Sequence, residues 1–232
     1  MSTGLLRTTF REMMKGVYTS VPGHVRVFDA DLQRAQVQVG VQTITVEGVA
    51  IEPPPIADVP VFFLGGTKYV ISHQIDPNDE GMIFFSQRCV DGWKQTGGVA
   101  NNPLGRFHDV HDAFFIPGFR PLPTRISGFA NDGIRMQSRD GVHHVWIKSG
   151  GEIIADNGAA QVQITAAGAV NIENGAGHIR MGVDGTVNIN GAIINPDGTI
   201  EALNVTFGGV SGKDHRHTNV ENGPDTSGGP TN

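Results

Sequence analysis

The sequence predicts an all-β protein with one short helix at its N-terminus, and three observations carry that prediction. The 232 residues include 32 glycines, with only 38% hydrophobic and 17% charged residues, so tight turns are frequent and helical composition is thin. Valines alternate with polar or small residues, as Val37, Val39 and Val41 do with Gln36, Gln38 and Gly40, which is the period of a half-buried strand. In the second half, Asx-Gly and Gly-Gly turn signals recur every few residues between short apolar segments, a quasi-repeat of single strands rather than a globular pattern.

The helix occupies residues 1–20, where Leu6, Phe10, Met13, Met14 and Val17 recur at helical spacing. Ser2 or Thr3 is a candidate cap, and Pro22-Gly23 is the expected stop. A helix this short needs a partner surface, in its own domain or a neighbouring subunit.

Residues 21–94 are expected to form a small antiparallel barrel. Its strands are placed at His24–Phe28, Ala35–Val41, Thr43–Val49, Val59–Leu64, Tyr69–Ile75 and Gly81–Arg88. So many strands in so short a span suit an OB-fold. Pro53, Pro54, Pro55 and Pro60 mark a loop and an edge. Residues 95–130 are expected to be a connector with one helix from Arg106 to Ile116, stopped by Pro117-Gly118. His108, Asp109, His111 and Asp112 then sit at the start of that helix. They read there either as a metal cluster on one face or as a solvated first turn, where Asp109 and Asp112 favour the dipole.

Residues 131–210 are expected to form a shaft. Each strand carries one thin apolar row: Val162 and Ile164, Val170 and Ile172, Ile179 and Met181, Val187 and Ile189. No aromatic layer or helix is available to cover it. A lone chain would bury little against an ordering cost of ~1–2 kcal/mol per residue. A single-chain β-solenoid escapes this with longer, stricter coils. Three intertwined chains escape it by sharing one apolar axis in a trimeric β-helix or β-prism, which also pairs the sheet edges.

Composition excludes several functions. The net charge is −6 with no basic run, which disfavours nucleic acid. A single cysteine, Cys89, rules out a disulfide within the chain and reads as a small buried apolar residue. No stretch approaches a membrane span. The opening MSTGLLRTTFREMMKG carries Arg7, Arg11, Glu12 and Lys15, unlike a secretory signal. Synthesis in the cytosol is therefore expected, with any cell-surface contact made by a larger assembly.

The tip, residues 211–232, holds Asp214-His215-Arg216-His217. In extended backbone His215 and His217 project to one side. One pair offers two nitrogens; on a threefold axis three pairs offer six. Zinc prefers four ligands in a tetrahedron, so six imidazoles better suit an octahedral ion such as iron(II), with nickel or cobalt as alternatives. A saturated shell leaves no open position for chemistry, so one structural metal ion per trimer is expected. The other histidines compete poorly. His143 and His144 point to opposite strand faces, and His178 begins a strand as a surface or hydrogen-bonded residue.

These features resemble the central-spike, or baseplate assembly protein V, family of contractile-tailed bacteriophages. The resemblance rests on His215-Arg216-His217 followed by Val220, Gly223, Thr226, Gly228-Gly229 and Pro230, on the segment from Phe107 to Phe114 with Pro117-Gly118, and on the order of elements along the chain. It implies a homotrimer, an OB domain docked on the baseplate hub or tail-tube end, iron at the tip, and puncture of the host outer membrane on sheath contraction. It also implies a place at the tail baseplate tip of the virion, after assembly in the host cytoplasm. The lysozyme domain inserted in some larger relatives has no room here. The alternative is a trimeric tail-fibre-like adhesin for surface glycans, which predicts exposed aromatic platforms; only Trp93, Trp146, Tyr18 and Tyr69 are available, none near the tip. An enzyme needs paired carboxylates in a groove. Glu152, Asp156, Glu173, Asp184, Asp197 and Glu201 mostly lie in or beside turns, where Asp before Gly has a turn role. The chain is therefore read as non-enzymatic.

Overall fold

The computed structural model describes residues 3–101 and 104–213. Contacts divide the chain after Arg125 into two compact units. Both are β-rich, so the all-β class and the N-terminal helix stand.

The first unit opens with α1, Thr3–Lys15, whose described side chains are all exposed. It ends at Gly16, earlier than expected. Pro22-Gly23 instead lies inside β1, Ser20–Asp29. The reason is steric: a Cβ at residue 23 would fall 2.5 Å from the Gln38 carbonyl oxygen and 2.6 Å from Ile83. Glycine is what lets β1 pass between its two neighbours, so here it marks close strand packing and not a helix stop.

The other principal strands are β2 (Arg34–Val39), β5 (Ile56–Pro60), β8 (Glu80–Phe85) and β9 (Ala113–Pro117). Two ribbons of two-residue strands interrupt them: β3 (Thr43–Ile44) with β4 (Ala50–Ile51), and β6 (Leu64–Gly65) with β7 (Val70–Ile71). Three expected strands shrink accordingly. Thr43–Val49 bends at residues 46–48, where Gly48 N–H donates to the Thr45 carbonyl; Val59–Leu64 and Tyr69–Ile75 keep only short paired pieces. Ile44, Val46, Val49, Tyr69, Val70 and Ile71 lie largely in solvent, so they lack the packing that makes β-propensity effective, while Val59 and Ile75 are kept by the core.

The sheet order is β5-β2-β1-β8-β9, with every neighbouring pair antiparallel. It curls until the chain beyond β5 meets β9: Val61 and Phe115 form a parallel bridge, and Phe62 N–H donates to the Phe115 carbonyl at 2.9 Å. The result is a partly open five-stranded barrel. Val25, Val37, Val59, Ile83 and Phe115 are fully or almost fully buried at its centre.

β9 corrects the expected helix from Arg106 to Ile116. Ala113 and Phe115 point into the core while Phe114 and Ile116 point outward, which is period two. The helical spacing of His108, His111 and Asp112 belongs to a turn before the strand. The strand that closes the sheet thus comes from the expected connector, beyond residue 94. A short helix not anticipated, α2 (Asp91–Thr96), lies between β8 and β9.

The second unit is a meander of nine antiparallel strands in chain order: β10 (Ile134–Gln137), β11 (His144–Ile147), β12 (Ile153–Asp156), β13 (Gln161–Ile164), β14 (Val170–Glu173), β15 (His178–Met181), β16 (Val187–Ile189), β17 (Ala192–Ile194) and β18 (Ile200–Glu201). A small ribbon follows, β19 (Thr206–Phe207) with β20 (Val210–Ser211).

The turns show a repeat sharper than the sequence spacing. Lys148, Thr165 and Gly182, each seventeen residues after the last, donate their N–H to the carbonyl four residues on and accept from the N–H three residues on. Gly168 shows why glycine is needed: it holds φ +93, the left-handed position of a three-residue hairpin loop. Alternating with these are tighter turns at Asn157 and Asn174, again seventeen apart, whose side chains each accept two backbone N–H groups. The repeating unit is a β-hairpin.

Candidate functional site

The register of the meander assembles the dominant surface of the second unit. Residues opposite each other on paired strands share a sheet face. Following the pairs gives one row of Ile134, Ile147, Ile153, Ile164, Val170, Met181, Val187, Ile194 and Ile200. A second row beside it runs Met136, Val145, Ala155, Val162, Ile172, Ile179, Ile189 and Ala192. Neither row is broken by a polar residue across the sheet. Apart from half-buried Val170, Val187, Ala155 and Ala192, their side chains are 37–71% exposed. Among the described residues of this unit only Ile154 is a buried hydrophobic, at 7% exposure.

The opposite face is mostly polar and extensively hydrogen-bonded within itself, with Arg135 Nε and His144 Nδ1 buried and unpartnered among the described residues. Lys148 pairs with Glu152, Gln163 donates to Glu152, and Asn171 donates to Gln163 at 2.9 Å. These hydrogen bonds, led by the one from Lys148, hold the Glu152 carboxyl below its usual range. His178 meets Asn188 at 3.0 Å, the hydrogen-bonded role expected of it. Trp146 lies between Arg135, at 4.9 Å from its ring, and Lys148, at 4.7 Å, and donates from Nε1 to the Asp132 carbonyl. Its ring is therefore engaged and is not a free platform for a sugar.

The acidic residues of this unit do turn work. Asp184 accepts from the hydroxyl and N–H of Thr186, and Asp197 from those of Thr199. Asp156 accepts from Gly158 N–H. These hydrogen bonds lower the pKa of all three carboxyls, against a small opposing effect of burial. A lowered, turn-bound carboxylate is poorly suited to acid catalysis at neutral pH.

In the first unit the electrostatic centre is Arg106. Its guanidinium bonds both oxygens of Asp112, at 2.8 and 3.1 Å, and reaches Asp91 at 2.9 Å and the Cys89 sulfur at 3.3 Å. Asp112 is 0% exposed and also accepts from Val90 N–H at 3.0 Å. Its desolvation, the largest influence, pushes the pKa up; the bonds from Arg106 and Val90 outweigh it, and the net direction is down. The same contact with Asp112 raises the Arg106 pKa further. Cys89, Asp91 and Asp112 lie close enough together to hold a metal ion, but the guanidinium is already the cation among them. The cluster clips the segment before β9 to the end of β8, where Ser86 N–H also donates to the Asp112 carbonyl. Cys89 is buried, as expected.

The four residues before β9 do not form a site. His108 Nδ1 meets the Tyr18 carbonyl at 3.0 Å, Asp109 pairs with His111 at 2.6 Å, and Asp112 turns inward to Arg106. Sequence spacing missed the Arg106 clip, because its partners are brought together only by the pairing of β8 and β9. His215 and His217 lie outside the described residues.

Residues 21–118 match the family model described as the Phage protein Gp138 N-terminal domain. The match begins in β1 and ends just past β9, so it spans the whole five-stranded barrel and none of the meander. This likeness indicates a phage protein. The search of curated proteins returned no match. Among the described residues no helix is long and apolar enough to cross a membrane.

Proposed function

We propose that this chain is the central spike of a contractile phage tail, a homotrimer carried at the tip of the baseplate that pierces the host outer membrane when the sheath contracts. The observation that carries the reading is the pair of unbroken apolar rows on the meander. A rod built from this unit needs a cover for that face, since contiguous exposed apolar surface of this extent marks an interaction site. Three copies facing one axis cover it with one another, leave the hydrogen-bonded polar face outward, and make the sheet edges neighbours between chains. A stiff, narrow, polar-coated rod is the mechanical requirement of a puncturing device.

The barrel then serves as the mount, docking on the baseplate hub or the end of the tail tube; the match to a phage protein domain over residues 21–118 supports that division. The tip belongs to His215 and His217. Six imidazole nitrogens from three chains fit one octahedral ion, iron(II) by donor preference. Such an ion would pin three chain ends together and supply no catalysis. Nucleic acid has no part in the reading.

The test is native mass with elemental analysis. Three times 24.7 kDa with about one metal per three chains is the expected result; a stable, folded single-chain species overturns the reading. The double variant His215→Ala, His217→Ala should lose the metal and keep the native mass.

A further inference from the structure

The barrel unit carries two apolar surfaces that the spike reading leaves unused. One is α1. Leu6, Phe10, Met13 and Met14 line one side of it at spacings of three and four, and they are 49–69% exposed. The other is a groove of about 760 Å³ on the barrel, walled by Phe28, Phe62, Phe84, Trp93, Phe114 and Ile116. Trp93 and Phe114 meet edge-on with ring centres 5.6 Å apart, so the wall is a packed aromatic surface and not a set of loose side chains. Phe62, Trp93 and Phe84 remain partly exposed.

Charge complements shape. Within α1, Arg7, Arg11 and Lys15 face a single acid, Glu12. Residues 20–117, the barrel, hold eleven Asp and Glu against six Lys and Arg. A basic amphipathic helix and an acidic unit with an apolar groove attract each other and fit the helix-in-groove mode of recognition. The route back to the helix's own barrel is short. Gly16 and Val17 are the only residues between α1 and Tyr18, which is tied by its N–H to the His108 carbonyl, by its carbonyl to His108, and by its ring to Phe85.

We infer that α1 of one copy seats its Leu6–Phe10–Met13 face in the aromatic groove of a neighbouring copy, so that the barrels of the assembly are strapped to one another by exchanged helices. The inference rests on the multi-chain reading above. It assigns α1 a role in assembly, and it accounts for an amphipathic helix whose described side chains are all exposed on its own chain.

Two full-length variants of different tag length, one Met13→Cys and one Phe62→Cys, are co-expressed and oxidised. Cys89 is buried beside Arg106 in both. The expected product is a disulfide joining one long and one short chain, absent when either variant is expressed alone. A multi-chain protein that gives no such product overturns the exchange and leaves the spike reading intact. A double variant carrying both cysteines that closes only within single chains also overturns it, placing the helix in its own groove. A monomeric parent protein fails the spike reading itself. As a second readout, Phe10→Asp should leave the native mass unchanged, because the shaft holds the chains together, and should increase protease cleavage within residues 3–16; unchanged cleavage counts against the exchange.

Discussion

At the scale of single residues, Arg106 and Asp112 dominate. Asp112 is wholly buried and its charge is balanced by one guanidinium. Removing the guanidinium leaves an uncompensated buried carboxylate, a change that costs about 3–5 kcal/mol in comparable pairs. Arg106→Ala should therefore lower the unfolding free energy of the barrel unit by that margin, read from urea titration, while Arg106→Lys, which keeps the charge but loses the two-pronged geometry, should recover only part of it. The pH dependence has a definite sign. The folded carboxyl has a pKa below its unfolded value, so the stability it contributes is fully present above the unfolded value near 4 and is lost as pH falls through the folded one. Acid titration of the wild type should show this loss below about pH 4, and Asp112→Asn should flatten it.

At the scale of elements, the turns of the meander set its geometry. Gly168 has no neighbouring atom within 4 Å of where a Cβ would lie, so its requirement is purely one of backbone conformation. Gly168→Ala should cost about 1–2 kcal/mol per chain through the left-handed φ alone, read as a lower melting temperature with unchanged association. Asp184 and Asp197 close neighbouring turns through hydrogen bonds that lower their pKa. Both are exposed, so acid should loosen these turns below about pH 4 without unfolding the shaft outright, visible as faster amide exchange at Thr186 and Thr199. α1 and β9 are the elements where local pattern and final structure parted. Pro22-Gly23 reads as a helix stop but serves a tight strand crossing, and the spacing of His108, His111 and Asp112 reads as a helix but belongs to a turn before a strand.

At the scale of the whole molecule, the two faces of the meander make opposite predictions. Ile164→Asp or Ile179→Asp places a charge in the middle of the apolar rows. If that face is shared between chains, either variant should drop the native mass to that of a single chain or abolish soluble protein. Arg180→Ser, on the polar face and paired among the described residues with Glu173 at 3.5 Å, should leave the mass unchanged, with an effect within about 0.5 kcal/mol on stability. Equal behaviour of the two substitutions would mean that the apolar face is not an interface.

The sequence by itself determined the class of this protein: an N-terminal amphipathic helix, a strand-rich first half, and a second half of short strands joined by tight turns. Those features are local, set by side-chain period and by residues that turns demand, so they are legible without contacts. The His215-Arg216-His217 motif is equally local. What only the tertiary structure decided depends on which strands pair. Pairing brought β9 into the barrel, gathered Cys89, Asp91, Arg106 and Asp112 into one clip, and walled the aromatic groove with residues from distant segments. It also turned thin two-residue apolar rows into continuous stripes nine and eight strands long. Alternation along one strand says which side of that strand is apolar; only the register between strands says that all of them lie on the same side.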